Sequence, residues 1–279
     1  MTAATTGGAR LSGAWIQNPK WHDCEGLLSG TLTRQEEITE GKLPMSQSFA
    51  RAKDFVDGLL RETSRRPDGK FSEIIKVVGA NQVHEDHVEV VNGFEDLGRA
   101  RRLTQPSRET FEIYEFPKTD ALITTLPNII LVIQTADCLP ILYWDRTTWM
   151  VGACHCGWRG LYERLASKTA RLMIEQGARA ETLEAWIGPG ICFENYEVGG
   201  ELVGKFREKF PHANASGNGT HLNLSAVAVD ELTGAGLRPE HIVDSGECTF
   251  GAPDRYHSYR KEGPGAGRLL TMIGRVQAN

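Results

Sequence analysis

Ile129-Ile130-Leu131-Val132-Ile133-Gln134-Thr135-Ala136-Asp137-Cys138-Leu139-Pro140-Ile141-Leu142-Tyr143-Trp144 is the stretch that decides the fold class. Two apolar runs flank the polar break at Thr135-Ala136-Asp137-Cys138. Neither run alternates apolar with polar residues, so each predicts a strand covered on both faces rather than one half-open to water. Ala121-Leu122-Ile123-Thr124 before it and Met150-Val151-Gly152-Ala153-Cys154 after it are equally short and apolar. The centre of the chain therefore reads as a dense set of buried strands joined by turns.

Helical spacing brackets this centre. Leu161, Leu165, Leu172 and Met173 give residues 161–176 one apolar side, and Gly177 is placed to stop the helix. Residues 183–187 return to strand, helices are expected near 201–210 and 225–234, a strand near Ile242, and a terminal strand or hairpin over 259–273. On the N-terminal side, 46–61 reads as a helix with Phe49, Phe55, Val56, Leu59 and Leu60 on its apolar face, and Arg65-Arg66-Pro67-Asp68-Gly69 as a turn. Residues 74–78 and 88–91 read as strands around Gln82-Val83-His84-Glu85-Asp86. The charged segment 93–118 reads as an exposed, irregular excursion. Residues 1–30 read as a loosely organised lead-in with Trp15 and Trp21 packing back, followed by a catalytic domain over 31–279. Strands and helices in this order predict one compact α/β domain with a mixed β-sheet flanked by helices.

Composition narrows the function classes. The 279-residue chain has 31 Lys and Arg against 36 Asp and Glu, a net charge of −5, so it lacks the positive field that nucleic-acid binding uses. No apolar run approaches the roughly 20 residues that cross a bilayer. The opening Met1-Thr2-Ala3-Ala4-Thr5-Thr6-Gly7-Gly8 has neither the basic start nor the apolar stretch of an export signal. A cytoplasmic protein is expected, with neither nucleic acid nor membrane as partner. Its six cysteines, with no Cys-x-x-Cys pair among them, then read as free thiols.

Chemistry concentrates at two strand ends. Thr135-Ala136-Asp137-Cys138-Leu139-Pro140 breaks two strands, and Cys154-His155-Cys156-Gly157-Trp158-Arg159-Gly160 runs from a strand end into a helix. Polar side chains at strand ends line the rim of a sheet, where α/β proteins place their sites. Gly157 and Gly160 allow the backbone to approach a ligand closely. The helix N-terminus and Arg159 suit an anion such as phosphate. Cys154 and Cys156 flank His155 on a strand, so they point to the opposite face and stay outside the site. Cys138 and His155 suit either metal ligation or a nucleophile–base pair. Sequence order does not separate these uses, and spacing does not bring His84 to them.

At these residues the chain resembles the bacterial multicopper polyphenol oxidase, or laccase-domain, family, also described as purine nucleoside phosphorylase-like and peptidoglycan editing factor-like. The matching pieces are Gln82-Val83-His84, Thr119-Asp120-Ala121-Leu122-Ile123-Thr124, Ala136-Asp137-Cys138-Leu139-Pro140, His155-Cys156-Gly157-Trp158-Arg159-Gly160, Ile187-Gly188-Pro189-Gly190-Ile191, Tyr196-Glu197-Val198-Gly199, Cys248-Thr249 and Ser258-Tyr259-Arg260-Lys261. The resemblance implies a fold similar to that of the cytotoxic-factor cysteine hydrolases. It implies a Zn2+ site at His84, Cys138 and His155, and it aligns Arg51 with an active-site arginine. It also implies purine nucleosides and phosphate as small-molecule partners. The chain departs from the family pattern at Cys156, where Ala is usual, at Glu85, where Gly is usual, and at Thr33-Arg34-Gln35-Glu36, where Thr-Arg precedes Gly-Gly.

The expected activity is zinc-assisted phosphorolysis of adenosine, inosine or methylthioadenosine, or deamination of adenosine. Asp137 or Glu85 would move protons, and Arg51, Arg159 and the helix N-terminus would steady phosphate. The alternatives are a copper-dependent polyphenol oxidase, a Cys138–His155 hydrolase or deamidase acting on a cell-wall-related substrate, and a non-catalytic binding protein. The eight histidines are scattered with no His-x-His, unlike the clustered histidines of a multicopper site.

Overall fold

The apolar runs at the centre of the chain are buried on both faces because two sheets, rather than the single sheet expected, stack against each other. The computed structural model describes residues 15–22, 24–34, 52, 55–56, 74–104, 111–211 and 219–277. Its strands are β1 (Trp15–Ile16), β2 (Leu27–Leu32), β3 (Ile75–Ala80), β4 (Val88–Val91), β5 (Arg101–Arg102), β6 (Phe111–Phe116), β7 (Ala121–Thr124), β8 (Ile129–Thr135), β9 (Leu139–Asp145), β10 (Met150–Cys156), β11 (Leu183–Ile187), β12 (Ile242–Asp244) and β13 (Leu269–Arg275). The helices are α1 (Trp158–Tyr162), α2 (Leu165–Glu175), α3 (Gly200–Lys209), α4 (Leu224–Gly234) and α5 (Tyr259–Glu262). A seven-stranded mixed sheet runs β1-β2-β13-β8-β3-β6-β5, and a six-stranded mixed sheet runs β12-β11-β9-β10-β7-β4. This is the expected α/β class, built on two mixed sheets.

Strand alternation sets the layers. Leu131 and Ile133 of β8 point into the core between the sheets, against Leu142, Trp144, Val151 and Ala153. Ile130 and Val132 point the other way, onto Val77, Met272 and the helical residues Ala52 and Val56. The outer face of the six-stranded sheet is covered by α2 and α4 through Leu165, Ala170, Met173, Val227 and Leu232. Each fully buried aliphatic side chain contributes about 1.5–3 kcal/mol relative to exposure, so these three clusters carry most of the fold's stability. Helix α2 lies so close that a Cβ at Gly152 would stand 3.0 Å from the Met173 sulfur.

Several expectations need correcting. The helix expected over 161–176 is two helices, because Arg164 turns left-handed at φ 61° between α1 and α2. The stretch read as a lead-in supplies most of β2, which pairs with β13, while Trp21 packs back as expected, buried with its Nε1 donating to Glu184 at 2.8 Å. Ser29, Gly30 and Thr31 interrupt the apolar pattern of β2, but Thr31 meets Thr271 across the sheet, their hydroxyl oxygens 2.7 Å apart. The segment 93–118 contains β6, which pairs in parallel with β3 from Ile75↔Phe111 to Ala80↔Phe116. The two acids of β6 are each matched by an arginine, Glu112 by Arg102 and Glu115 by Arg101, each at 2.6 Å, so an acidic strand sits in the sheet with a cation beside each carboxylate. Of the helix expected over 46–61, Ala52, Phe55 and Val56 are described and helical; its other residues and the turn at 65–69 lie outside the described residues. The C-terminal segment is helix α5 followed by strand β13, with no hairpin between them. Among the described residues no helix is long and apolar enough to cross a membrane. All six cysteines are free thiols.

Candidate metal centre

The chain passes from the seven-stranded to the six-stranded sheet three times, by β3 to β4, β6 to β7 and β8 to β9. Strand β3 is parallel to both β6 and β8, so all three crossings leave from the same edge. They are tied together there by side chains. Gln82 in the first crossing donates Nε2–H to the Gln134 carbonyl at 2.7 Å and accepts the Gln134 N–H at 2.8 Å. Asp120, fully buried in the second crossing, accepts backbone N–H groups from Val83, His84 and Glu85 at 3.2, 3.1 and 3.0 Å. These bonds hold His84 in the left-handed region at φ 63°, a conformation that non-glycine residues need help to keep.

Strand β10 delivers the next side chain. Its alternation aims His155 to the inter-sheet side with Ala153, while Cys154 and Cys156 point into the helix-side core, their sulfurs 3.3 Å apart. Both thiols thus lie on the face opposite His155, as strand alternation predicts. His155 Nδ1 lies 2.8 Å from Asp120 Oδ1. An ionised carboxylate only accepts, so Nδ1 carries the proton and Nε2 is left as the ligating or basic atom. Cys138 comes from the third crossing. The donor atoms of His84, Cys138 and His155 all lie within 4.8 Å of one another, the only such group of three among the described residues. The two imidazoles meet edge to face, centroids 4.7 Å apart. A Cβ at Gly157 would stand 2.9 Å from Cys138 Sγ and 3.2 Å from His84 Cδ2, so only glycine leaves the space between the donors open.

Charge is strongly organised here. Burial alone would raise the Cys138 thiol, but the neighbouring His155 and His84 bring it down to about 6. Burial alone would lower His155, but the Cys138 thiolate and Asp120 lift it to about 10. Burial likewise acts to raise the Asp120 carboxyl, and the bonds from His155 and the backbone amides overcome it and hold it below the usual carboxylate range. Two imidazoles and one thiolate converging on an open space fit a three-ligand metal site with a free coordination position.

The family described as multi-copper polyphenol oxidoreductase laccase matches residues 64–276. The chain belongs to this family. It is 38% identical over 168 residues to a purine nucleoside phosphorylase of Deinococcus radiodurans, a match covering 57% of this chain and 62% of that protein. It is 35% identical over 163 residues to adenosine deaminase RL5 of an unknown prokaryotic organism, covering 56% and 62% respectively. In both cases the match spans less than two thirds of the relative's length. Among solved structures, YlmD from Geobacillus stearothermophilus superposes with a TM-score of 0.75 at 21% identity over 97% of this chain and 98% of that one, the same fold.

The other residues expected at the site fall in different places. Asp137 is left-handed at φ 85°, and both carboxylate oxygens are engaged, by the Thr249 hydroxyl at 2.7 Å and the Arg260 N–H at 2.6 Å. Its carbonyl accepts from Ile191 N–H at 2.9 Å, so it anchors the loop that presents Cys138. Arg159 is exposed, its guanidinium 4.4 Å from the Trp158 ring. Glu85 is exposed beside His84. Arg51 lies outside the described residues. Asp120 was missed as a site residue although Thr119-Asp120 opened one of the quoted motifs; nothing in the sequence told a buried acid from a turn residue. Tyr196 and Arg260, also inside quoted motifs, were missed too. The Arg260 guanidinium stands 5.0 Å from the Tyr196 ring, and burial, with Cys138 and Asp137 nearby, pushes the Tyr196 phenol up to about 12. Arg268, one residue before β13, is half-buried and donates to the carbonyls of Ala266 and Gly267 at 2.7 and 2.8 Å.

Proposed function

We propose that this chain is a zinc-dependent cytoplasmic enzyme of purine nucleosides, cleaving adenosine, inosine or methylthioadenosine with phosphate, with adenosine deamination as a second reaction of the same site. The observation that carries the reading is the convergence of His84, Cys138 and His155 at one sheet edge, with Asp120 fixing the His155 tautomer. A mixed nitrogen and thiolate set of three suits zinc, and relatives named purine nucleoside phosphorylase and adenosine deaminase supply the substrate class. When bound, the metal would supply a Lewis acid that polarises an oxygen at the open position.

The remaining work falls to the chain's own groups. Tyr196 offers a ring on which a purine stacks. Arg159, Arg260 and Arg268, with Arg51, are the cations that hold phosphate. Phosphorolysis joins a phosphate oxygen to the ribose carbon as the bond to the purine breaks, and the departing base takes up a proton. Glu85 is better placed to exchange that proton than Asp137, whose oxygens are already engaged. The test is turnover of the three nucleosides by zinc-loaded protein, with and without phosphate. Release of free base only with phosphate supports phosphorolysis, and no turnover of any of them removes the reading.

One observation favours a second reading. In metal-free protein Cys138, at about 6, and His155, at about 10, form a thiolate–imidazolium pair, the state of a cysteine hydrolase. A thioester trapped on Cys138 by an activated ester or amide would support it, and zinc that blocks alkylation of Cys138 while activating nucleoside turnover would end it. Phenol oxidation with copper is tested by oxygen uptake in the presence of a phenol.

A further inference from the structure

A second pair of thiols is brought together away from the metal donors by shared hydrogen-bond partners. Cys192 follows Gly190-Ile191, Cys248 precedes Thr249, and Gly190 and Cys248 form a parallel β-bridge that brings the two segments together. The Cys248 sulfur accepts the backbone N–H of Cys192 at 3.3 Å and the Asn195 Nδ2–H at 3.4 Å. The Cys192 thiol and the Gly251 backbone lie near enough to add to this stabilisation of the Cys248 thiolate. Asn195 Nδ2 reaches Cys192 Sγ as well, at 3.0 Å. Donors converging on one sulfur favour its thiolate. Burial alone would raise the Cys248 thiol, but these donors bring it below the usual thiol range; burial and the neighbouring Cys248 push Cys192 up to about 11. Both residues are half-buried, and a pocket of about 590 Å³ lined by Cys192, Glu194, Asp230, Asp244 and Glu247 opens at Cys192 and reaches Glu247, the residue before Cys248 in the chain.

The geometry points to a redox-active dithiol: Cys248 and Cys192 close to a disulfide when the protein meets a hydroperoxide. The Cys248 thiolate attacks a peroxide oxygen, an S–O bond forms as the O–O bond breaks, and the departing oxygen takes from solvent the proton that the thiol gave up on ionising and leaves as water or alcohol. Sulfur is oxidised to the sulfenic acid and the peroxide is reduced. Cys192 sulfur then attacks the sulfenic sulfur, its proton leaves with the hydroxyl as water, and the disulfide is formed. The four carboxylates of the pocket favour an uncharged oxidant over an anionic disulfide. The buried pair Cys154 and Cys156 lacks this chemistry, since burial raises the Cys156 thiol well above the usual range and neither sulfur reaches solvent. A 192–248 disulfide would join the two segments that grip Asp137, through Ile191 N–H and the Thr249 hydroxyl, and so stiffen the loop carrying Cys138.

The test is peroxide treatment of the zinc-loaded full chain, followed by peptide mapping under non-reducing conditions. The expected result is a Cys192–Cys248 cross-link with loss of two hydrogens, reversed by a thiol reductant. In Cys192→Ser, dimedone should trap a sulfenic acid at Cys248; in Cys248→Ser, Cys192 should gain no adduct. Oxidised glutathione should form the cross-link at least tenfold more slowly than hydrogen peroxide. Cys192 and Cys248 left unmodified while Cys24 oxidises, or a trap at Cys192 instead of Cys248, would overturn the dithiol. A glutathione reaction as fast as that of peroxide would overturn the choice of oxidant.

Discussion

Strand β10 places three metal-competent residues in a row and gives them opposite fates. On one face His155 meets Asp120, His84 and Cys138 at the crossing edge, where cationic partners favour a thiolate and Gly157 keeps the space clear. On the other, Cys154 and Cys156 lie under α2 and α4, where burial, with the acid Glu231 nearby, raises the Cys156 thiol and keeps it neutral. Residue type does not separate the faces. What separates them is whether opposite charge and an open position accompany burial.

The largest expected effect breaks the comparison directly. Cys138→Ala should abolish zinc retention and nucleoside turnover, while Cys156→Ala, one position from His155, should keep about one zinc per chain and activity within roughly threefold; metal analysis of protein purified without added zinc checks both. Next, Asp120→Asn keeps the shape but frees the His155 tautomer, and zinc affinity should fall about 10- to 100-fold by competition with a chelating dye. A pH profile sharpens the contrast between thiols. In metal-free protein, iodoacetamide should label Cys138 with a midpoint near pH 6, rising as the thiolate forms, while Cys156 stays unlabelled until the chain unfolds. The smallest effect concerns Glu231, whose carboxyl is pushed up to about 8 by burial, only partly offset by the Ser167 N–H. A carboxyl raised on folding binds its proton more tightly in the folded state, so stability falls as pH climbs from the ordinary carboxylate value through about 8. Glu231→Gln should flatten that decline and raise Tm at pH 9 by a few degrees, at about 2–4 °C per kcal/mol.

Much of the fold was legible where burial is two-sided. Residues 129–133, 141–144 and 185–187 are apolar runs inside strands buried along their whole length, so they read as strands whatever covers them. Strands β2 and β6 were not legible, because Thr31 and Glu115 find their partners only after distant segments pair. That one sheet became two has the same cause: periodicity shows that a face is covered, not by what. At the site, the turns around Cys138 and His155 were readable as strand ends bearing donors. The approach of His84 was not, since it depends on parallel pairing of β3 with β8, and family resemblance alone supplied it. Asp120 was hidden because a carboxylate that organises three amides and an imidazole looks in sequence like any loop aspartate.

The three crossings that build the site are also a mechanical seam. Each crossing belongs to both sheets, and Gln82, Asp120 and Cys138 lie on separate ones, so prying the sheets apart at this edge pulls on all of them at once. An ion held by His84, Cys138 and His155 would act there as a rivet. Its release would loosen the seam before any strand unzips, so that ligand occupancy at one rim sets the resilience of the whole sandwich.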